Sequence, residues 1–372
     1  MGRCVTAAHT RKHQQTCSTA RSCEGVSTFG GRVRRLVSFT VLLTLFTGSS
    51  ALLALSTFVA AAVDLLRDRR FPATRAVWFV QGVLTLEVLG LLGALFTLRH
   101  RDAVRFREAN YALQRWWAGA IIGWVSWVYR LQLVVEGDAL PAGPFLLLPR
   151  HASLADPLLP MAITALPVAR RPRYVLTRGL EWGPCLDVVG HRVPNVFVDR
   201  HASDASEVER VAALADELGP DEFVVIYPEG TRFSYARRAS LLDRLSARSE
   251  PDRLAEAAAL QHVLPVRPRG TLALLERRPI DVVLMAHVGL DAAHSVGELL
   301  RGELIGRTVG VRLRHVPAGR LPSTPEGRAQ WLRASWRWMD EAVGAMQRPD
   351  LPAAAARTAG AGTIPRPWMS TR

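Results

Sequence analysis

The stretch LLLPRHASLADPLLP, residues 146–160, places His151 and Asp156 five positions apart between an apolar run and a proline. An imidazole and a carboxylate so close in sequence can act as a general-base couple. The carboxylate accepts a hydrogen bond from one ring nitrogen and fixes the tautomer, leaving the other nitrogen to take a proton from an alcohol. Histidine suits this task because its reference pKa of about 6.5 lies near neutrality. On one continuous helix the two side chains would sit roughly 140° apart around the axis and could not meet. Pro157 argues against such a helix: the residue before a proline avoids helical backbone, whereas proline itself suits the first helical position. Asp156 is therefore expected as an N-cap, with residues 151–155 in a loop that folds the imidazole back onto the carboxylate. Taken alone, the pair reads as a capped helix beside a loop histidine, so the rest of the chain has to supply a substrate.

Two further segments offer one. The run EFVVIYP continues into EGTR, Glu229–Arg232. Gly230 lets the backbone turn sharply and approach a ligand, and Arg232 presents a planar fork of donors that matches a phosphate. Glu229 could orient that arginine or a substrate hydroxyl. Earlier, NVFVDR ends in Asp199 and Arg200, a possible second anion contact. Each also fits a plain strand-end turn with a surface ion pair.

The elements that must position these residues begin near Leu131. Seven β-rich runs alternate with helical stretches: LQLVVEG, PFLLLP, RYVLT, NVFVD, EFVVIYP, IDVVLMAHV and VGVRLRHV. This pattern predicts an α/β fold, a mainly parallel sheet flanked by helices. Loops at the carboxyl ends of such strands are where open α/β sheets hold ligands. Asp204 with Glu207 signals a capping box ahead of one helix. Thr324 and Pro325 open another, running to about Met346, with Trp331, Trp336 and Trp338 as packing residues.

Before this domain the chain is apolar. Leu36 to Val63 carries no charge and is long enough for a membrane span, which is preferred to a cleaved signal peptide by its length and position. Val77–Leu98 is expected as a second span despite Gln81 and Glu87, giving an N-terminal membrane-helix hairpin. Trp116–Arg130 reads as an interfacial helix, or alternatively as a buried core helix. Arginines before the first span and after the second place both flanks on the cytoplasmic face, although the connector is also basic. The expected organisation is a disordered basic arm over residues 1–35, membrane-anchoring helices over 36–130, a catalytic domain over 131–346 and a disordered tail over 347–372.

The net charge of +14 is carried almost wholly by arginine, with Lys12 the only lysine. Nucleic acid, anionic lipid and phosphorylated substrates would all answer such an excess. The arginines are spread along the chain and cluster beside apolar runs, and no nucleic-acid-binding module is readable, so nucleic acid is not expected as a partner. Cys4, Cys17, Cys23 and Cys185 show no zinc-type spacing and are read as unpaired thiols, with no metal expected.

In chain order, HASLAD, FVDR, YPEGTR and VLPVRPRG resemble the four blocks of the glycerolipid acyltransferase family, whose best-known members are 1-acylglycerol-3-phosphate acyltransferases. The resemblance covers roughly residues 131–316. It implies a catalytic dyad at His151 and Asp156, a glycerol-phosphate site at Arg200, Glu229, Gly230, Thr231 and Arg232, and a pocket-shaping role for Pro265, with Val266 and Gly270 beside it. It further implies a membrane-bound O-acyltransferase of phospholipid biosynthesis. The acyl group would move from acyl-CoA or acyl carrier protein, as co-substrate, to the free hydroxyl of lysophosphatidic acid, giving phosphatidic acid. No other cofactor is implied. The chain departs from the family pattern at Arg150, often asparagine, at Pro194, often glycine, at Arg267 and Arg269 in the fourth block, and in a basic helical insertion over roughly 234–260. Another lyso-phospholipid or glycolipid acceptor, or a catalytically idle lipid-binding adaptor, remain the other readings, the last disfavoured by the intact dyad beside an intact EGTR.

Overall fold

The computed structural model describes residues 29–68, 70–199, 205–291, 293 and 295–347. Most of the basic arm, the tail from 348, Arg200 and Asp204 lie outside the described residues. All seven β-rich runs form strands: β1 Gln132–Gly137, β2 Phe145–Pro149, β3 Arg171–Thr177, β4 Val196–Val198, β5 Glu222–Val225, β6 Asp281–Val288 and β7 Thr308–Val316. They make one sheet in the order β1-β7-β6-β2-β5-β3-β4. Every neighbouring pair is parallel except β6 and β7, which run antiparallel.

The central strands β2 and β5 are buried at every position, which is why they read as unbroken apolar runs rather than alternating ones. Their side chains divide by the two-residue period of a strand. Phe145, Leu147, Phe223 and Val225 face one core, where the rings of Phe145 and Phe223 stack 5.0 Å apart. Leu146, Leu148 and Val224 face the other, covered by the helices Pro268–Arg277 and Pro325–Gln347 through Leu274, Trp336 and Met339. Thr324 accepts from the amide of Gly327 at the start of the last helix, and the buried Trp336 is a packing residue as expected.

Four helices precede the sheet: α1 Phe29–Ala51, α2 Leu53–Arg67, α3 Pro72–Thr97 and α4 Ala103–Tyr129. Residues 29–35, expected within a disordered arm, are helical. The reason is electrostatic: Arg34 and Arg35 pair with the buried Asp187, and Arg34 also with Glu181, so α1 is tied to the α/β domain. The single span expected over 36–63 is instead the bent pair α1 and α2, whose axes differ by 66°. Gly48 precedes the break, and Thr47 and Ser49 bond back to the carbonyls of Leu43 and Phe46 in the preceding turn, a pattern that bends helices. Asp64 then caps α3 by accepting from the amides of Ala73 and Thr74. Among the described residues α3 is the one helix that is by itself long and apolar enough to cross a membrane. Glu87, the acidic residue within it, accepts from the amide of Cys185 at 3.0 Å. The carboxyl half of α4 packs Ile121, Val125, Val128 and Tyr129 on the sheet core, while Trp116 and Trp127 point outward.

Candidate active site

The loop after β2 brings His151 and Asp156 together. His151 Nδ1 lies 3.0 Å from Asp156 Oδ2, and the same oxygen accepts from the backbone amides of Ala152 and Ser153. The expected N-cap geometry is therefore not what forms. The helical turn after Pro157 makes no side-chain cap bond, and the Asp156 carboxylate turns back into its own loop. Three donors converging on one oxygen are a stronger pull than a single cap bond, so the loop, not the helix, takes the carboxylate. Asp156 is fully buried. Burial alone would raise its pKa, but the neighbouring His287 imidazole, the His151 hydrogen bond and the Ser153 amide outweigh that and hold it below its ordinary value. His151 Nδ1 must then carry the proton donated to the carboxylate, which leaves Nε2 as the basic atom.

Glu229 ties the blocks together. One carboxyl oxygen accepts from the His151 amide and the other from the Leu264 amide, each at 2.9 Å. Burial pushes its pKa up to about 8, against the pull of those two amides and of Arg150. It therefore braces the first and fourth blocks against the third, rather than presenting a free oxygen to a substrate. Gly230, at φ +64°, makes the turn that only glycine adopts without strain. The amide of Phe233 donates to the His151 carbonyl at 2.6 Å, and that of Arg267 to the Pro228 carbonyl at 2.7 Å.

A cavity of about 710 Å³ opens on His151 at the carboxyl ends of β3, β4 and β5. Of the expected site residues that are described, His151 and Gly230 line it; Asp156, Glu229, Thr231, Arg232 and Pro265 do not. Arg232 is part-buried, and its pKa is lowered by burial and by Arg237, with the charge of Asp156 acting in the opposite sense. Pro265 follows Leu264 without reaching the cavity, whereas its neighbours Val266, Arg267, Pro268, Arg269 and Gly270 line it.

Three residues that sequence reasoning did not select complete the site. Arg150 is fully buried, bonding the carbonyls of His262 and His287 at 3.1 and 2.9 Å and the Asp291 carboxylate at 2.6 Å. Tyr227 sets its ring 4.6 Å from the imidazole of His151. His287, on β6 and fully buried, has Nε2 at 3.0 Å from the Arg150 carbonyl and 3.4 Å from Asp156 Oδ1. That nitrogen therefore carries a proton, and burial lowers the pKa of the ring against the opposing pull of Asp156. In sequence His287 is a lone histidine ending an apolar strand, a pattern that points to the core and not to a dyad. His287→Ala is expected to cost about 1–3 kcal/mol of stability, because a buried carbonyl loses its donor, and to lower turnover as Asp156 loosens. His287→Gln, which keeps an N–H, should restore part of both. Thermal unfolding and kcat measured on the two variants check this, and wild-type values for His287→Ala would detach it from the dyad.

Among the described residues one group has metal-ligand geometry: Glu181, Asp187 and His191, with ligand atoms within 4.8 Å of one another. Both carboxylates are already paired with Arg34 or Arg35, and the Asp187 hydrogen bond raises the His191 pKa. The group reads as the ion-pair cluster that docks α1.

Residues 132–264 match the family model described as Acyltransferase. These residues form an acyltransferase-family domain. The match takes in both dyad residues and EGTR and ends one residue before Pro265. No curated protein sequence matches the chain. Among solved structures, the 1-acyl-sn-glycerophosphate (LPA) acyltransferase PlsC from Thermotoga maritima aligns over 74% of this chain and 97% of its own, at 14% identity and a TM-score of 0.49.

Proposed function

We propose that this acyltransferase domain moves a fatty acyl group from acyl-CoA or acyl carrier protein to the free hydroxyl of lysophosphatidic acid, giving phosphatidic acid. The observation that carries the reading is the His151–Asp156 contact at 3.0 Å, with His151 on the wall of the 710 Å³ cavity and Asp156 buried behind it. His151 Nε2 takes the hydroxyl proton as the oxygen attacks the thioester carbon. A C–O bond forms, the C–S bond breaks, and the proton passes from the imidazole to the departing thiolate. Asp156 holds the ring in the tautomer that leaves Nε2 bare and stabilises the imidazolium formed in between.

Arg232, with Arg200, is the proposed clamp on the acceptor phosphate on the strength of the EGTR and FVDR motifs, although Arg232 does not line the His151 cavity. Arg232→Ala is expected to raise the KM for lysophosphatidic acid about tenfold or more, since a charge-assisted hydrogen bond contributes about 1.5–3 kcal/mol. Steady-state kinetics in mixed micelles measure it, and an unaltered acceptor KM would remove Arg232 from the scheme.

Both the acceptor and the product of such a reaction are lipids, which supports a membrane seat for the protein. The apolar surface of α1–α3, including Leu36, Phe58, Leu66, Leu95 and Phe96, is exposed and would serve as that seat, with the catalytic domain on the cytoplasmic face. Fractionation of the full chain with and without residues 29–97 tests it, and equal recovery in the membrane pellet would place the anchor elsewhere.

A further inference from the structure

The described arginines that line the His151 cavity are Arg253, Arg267 and Arg269, all three exposed, and not Arg232. Arg267 and Arg269 flank Pro268 in the fourth block, where the family pattern does not call for them. Neither side chain makes a hydrogen bond or ion pair with a described residue. Their placement is fixed through the backbone: the Arg267 amide donates to the Pro228 carbonyl, and its side chain lies across Gly230, where an added Cβ would come 3.0 Å from Cδ. Arg253 comes from the insertion between the third and fourth blocks and shares its charge with Glu250. The acidic residues of the same cavity are Asp199 and Glu207, and the Glu207 carboxylate is already engaged by the Asp199 amide and by Arg210. The remaining wall is mainly apolar, with Val175, Leu176, Val198, Val208, Val211 and Ile226 beside Thr177 and Tyr227.

Two unpaired guanidiniums facing a cavity that also holds the general base have a direct chemical reading. Guanidinium groups match phosphate oxygens two at a time, with a planar fork of donors that suits a phosphate or pyrophosphate. A cavity of about 710 Å³ lies within the range that accommodates a ligand of cofactor-fragment size. We infer that Arg267 and Arg269, assisted by Arg253, form a second anion subsite. It takes a phosphate or pyrophosphate of a substrate whose reacting end lies at His151. This inference rests on the acyl-transfer reading, in which Arg232 and Arg200 already serve one phosphate monoester. The further cationic set then belongs to a multiply phosphorylated group, the nucleotide of the thioester donor.

The test uses the full-length protein and the pairs Arg267→Ala with Arg269→Ala, and Arg267→Lys with Arg269→Lys. KM values are measured with acyl-CoA, with a phosphate-free acyl-N-acetylcysteamine thioester and with lysophosphatidic acid, alongside calorimetric titration of inorganic pyrophosphate. The double alanine variant is expected to raise the KM for acyl-CoA at least tenfold and to lose pyrophosphate binding, and the double lysine variant to retain part of both. A rise for acyl-CoA but not for the phosphate-free thioester assigns the subsite to the donor nucleotide; a rise for lysophosphatidic acid with either donor would put the two arginines on its single phosphate in place of Arg232 and overturn a second subsite. Unchanged KM values with unchanged pyrophosphate binding would overturn the subsite and leave acyl transfer standing. Pyrophosphate binding that depends on the two arginines in a wild-type protein without acyl transfer would keep the subsite and reject the reading on which the substrate assignment rests. Should the alanine pair unfold, the lysine pair decides: wild-type binding and KM values in it, where the bidentate fork is lost, would count against the subsite.

Discussion

His151→Ala is expected to reduce acyl transfer by about a hundredfold or more, the usual cost of losing a positioned general base. Several features make this substitution a clean one. The imidazole makes its one side-chain hydrogen bond to Asp156, and the loop around it is held by backbone contacts that alanine keeps: the residue 151 amide on Glu229 and its carbonyl on the Phe233 amide. The ring is largely enclosed, with 12% of the side chain exposed, so its removal leaves a small cavity beside Tyr227. The fold should therefore survive and the loss fall on kcat. A variant with wild-type turnover would remove His151 from the chemistry, and one that loses turnover only together with its thermal transition would leave its role structural.

Asp156→Asn is expected to reduce turnover by two to four orders of magnitude, on the order of the loss when a dyad carboxylate is made neutral, and it should also destabilise the protein. Oδ2 accepts from the His151 ring and from two amides, so the asparagine carbonyl is drawn to that place. Its NH2 then faces His287 Nε2, which already donates to the Arg150 carbonyl, and two donors meet where a carboxylate oxygen now stands. The pH dependence has a definite sign. Because the folded-state pKa of Asp156 is depressed, its contribution to stability is present above the ordinary carboxylate value near 4 and is lost as pH falls through the folded value. Asparagine has no such contribution, so the gap in Tm between wild type and variant should be wide at neutral pH and narrow in acid. A constant gap across that range would show that the ionised form is not favoured in the fold.

The seven strands were legible because each is a short β-rich run closed by turn residues, and the fully buried β2 and β5 carry no polar side chain in their central positions to confuse the pattern. The dyad was legible as spacing, but its geometry was not. Sequence rules favour Asp156 as a helix cap, and only the convergence of three donors on Oδ2 shows why it turns the other way. Arg150 stood out as a departure without an explanation; the slot formed by the carbonyls of His262 and His287 and by Asp291 supplies one. These partners lie more than a hundred residues away in the chain, a separation that no local pattern encodes. The same holds for His287, and for Arg34 and Arg35, which read as part of a loose basic arm until Asp187 is seen to be buried beneath them. The bend between α1 and α2 was missed because hydropathy registers the apolar run and not the back-bonded Thr47 and Ser49 within it.

The central claim is that a bare imidazole nitrogen at His151 receives a lipid hydroxyl proton while a thioester is opened. Its most direct test is the incubation of purified full-length protein with radiolabelled acyl-CoA and lysophosphatidic acid, with the labelled lipid resolved by chromatography. The account predicts labelled phosphatidic acid released in step with free coenzyme A. Coenzyme A released without labelled lipid, or no reaction with any lyso-lipid acceptor tried, would contradict it.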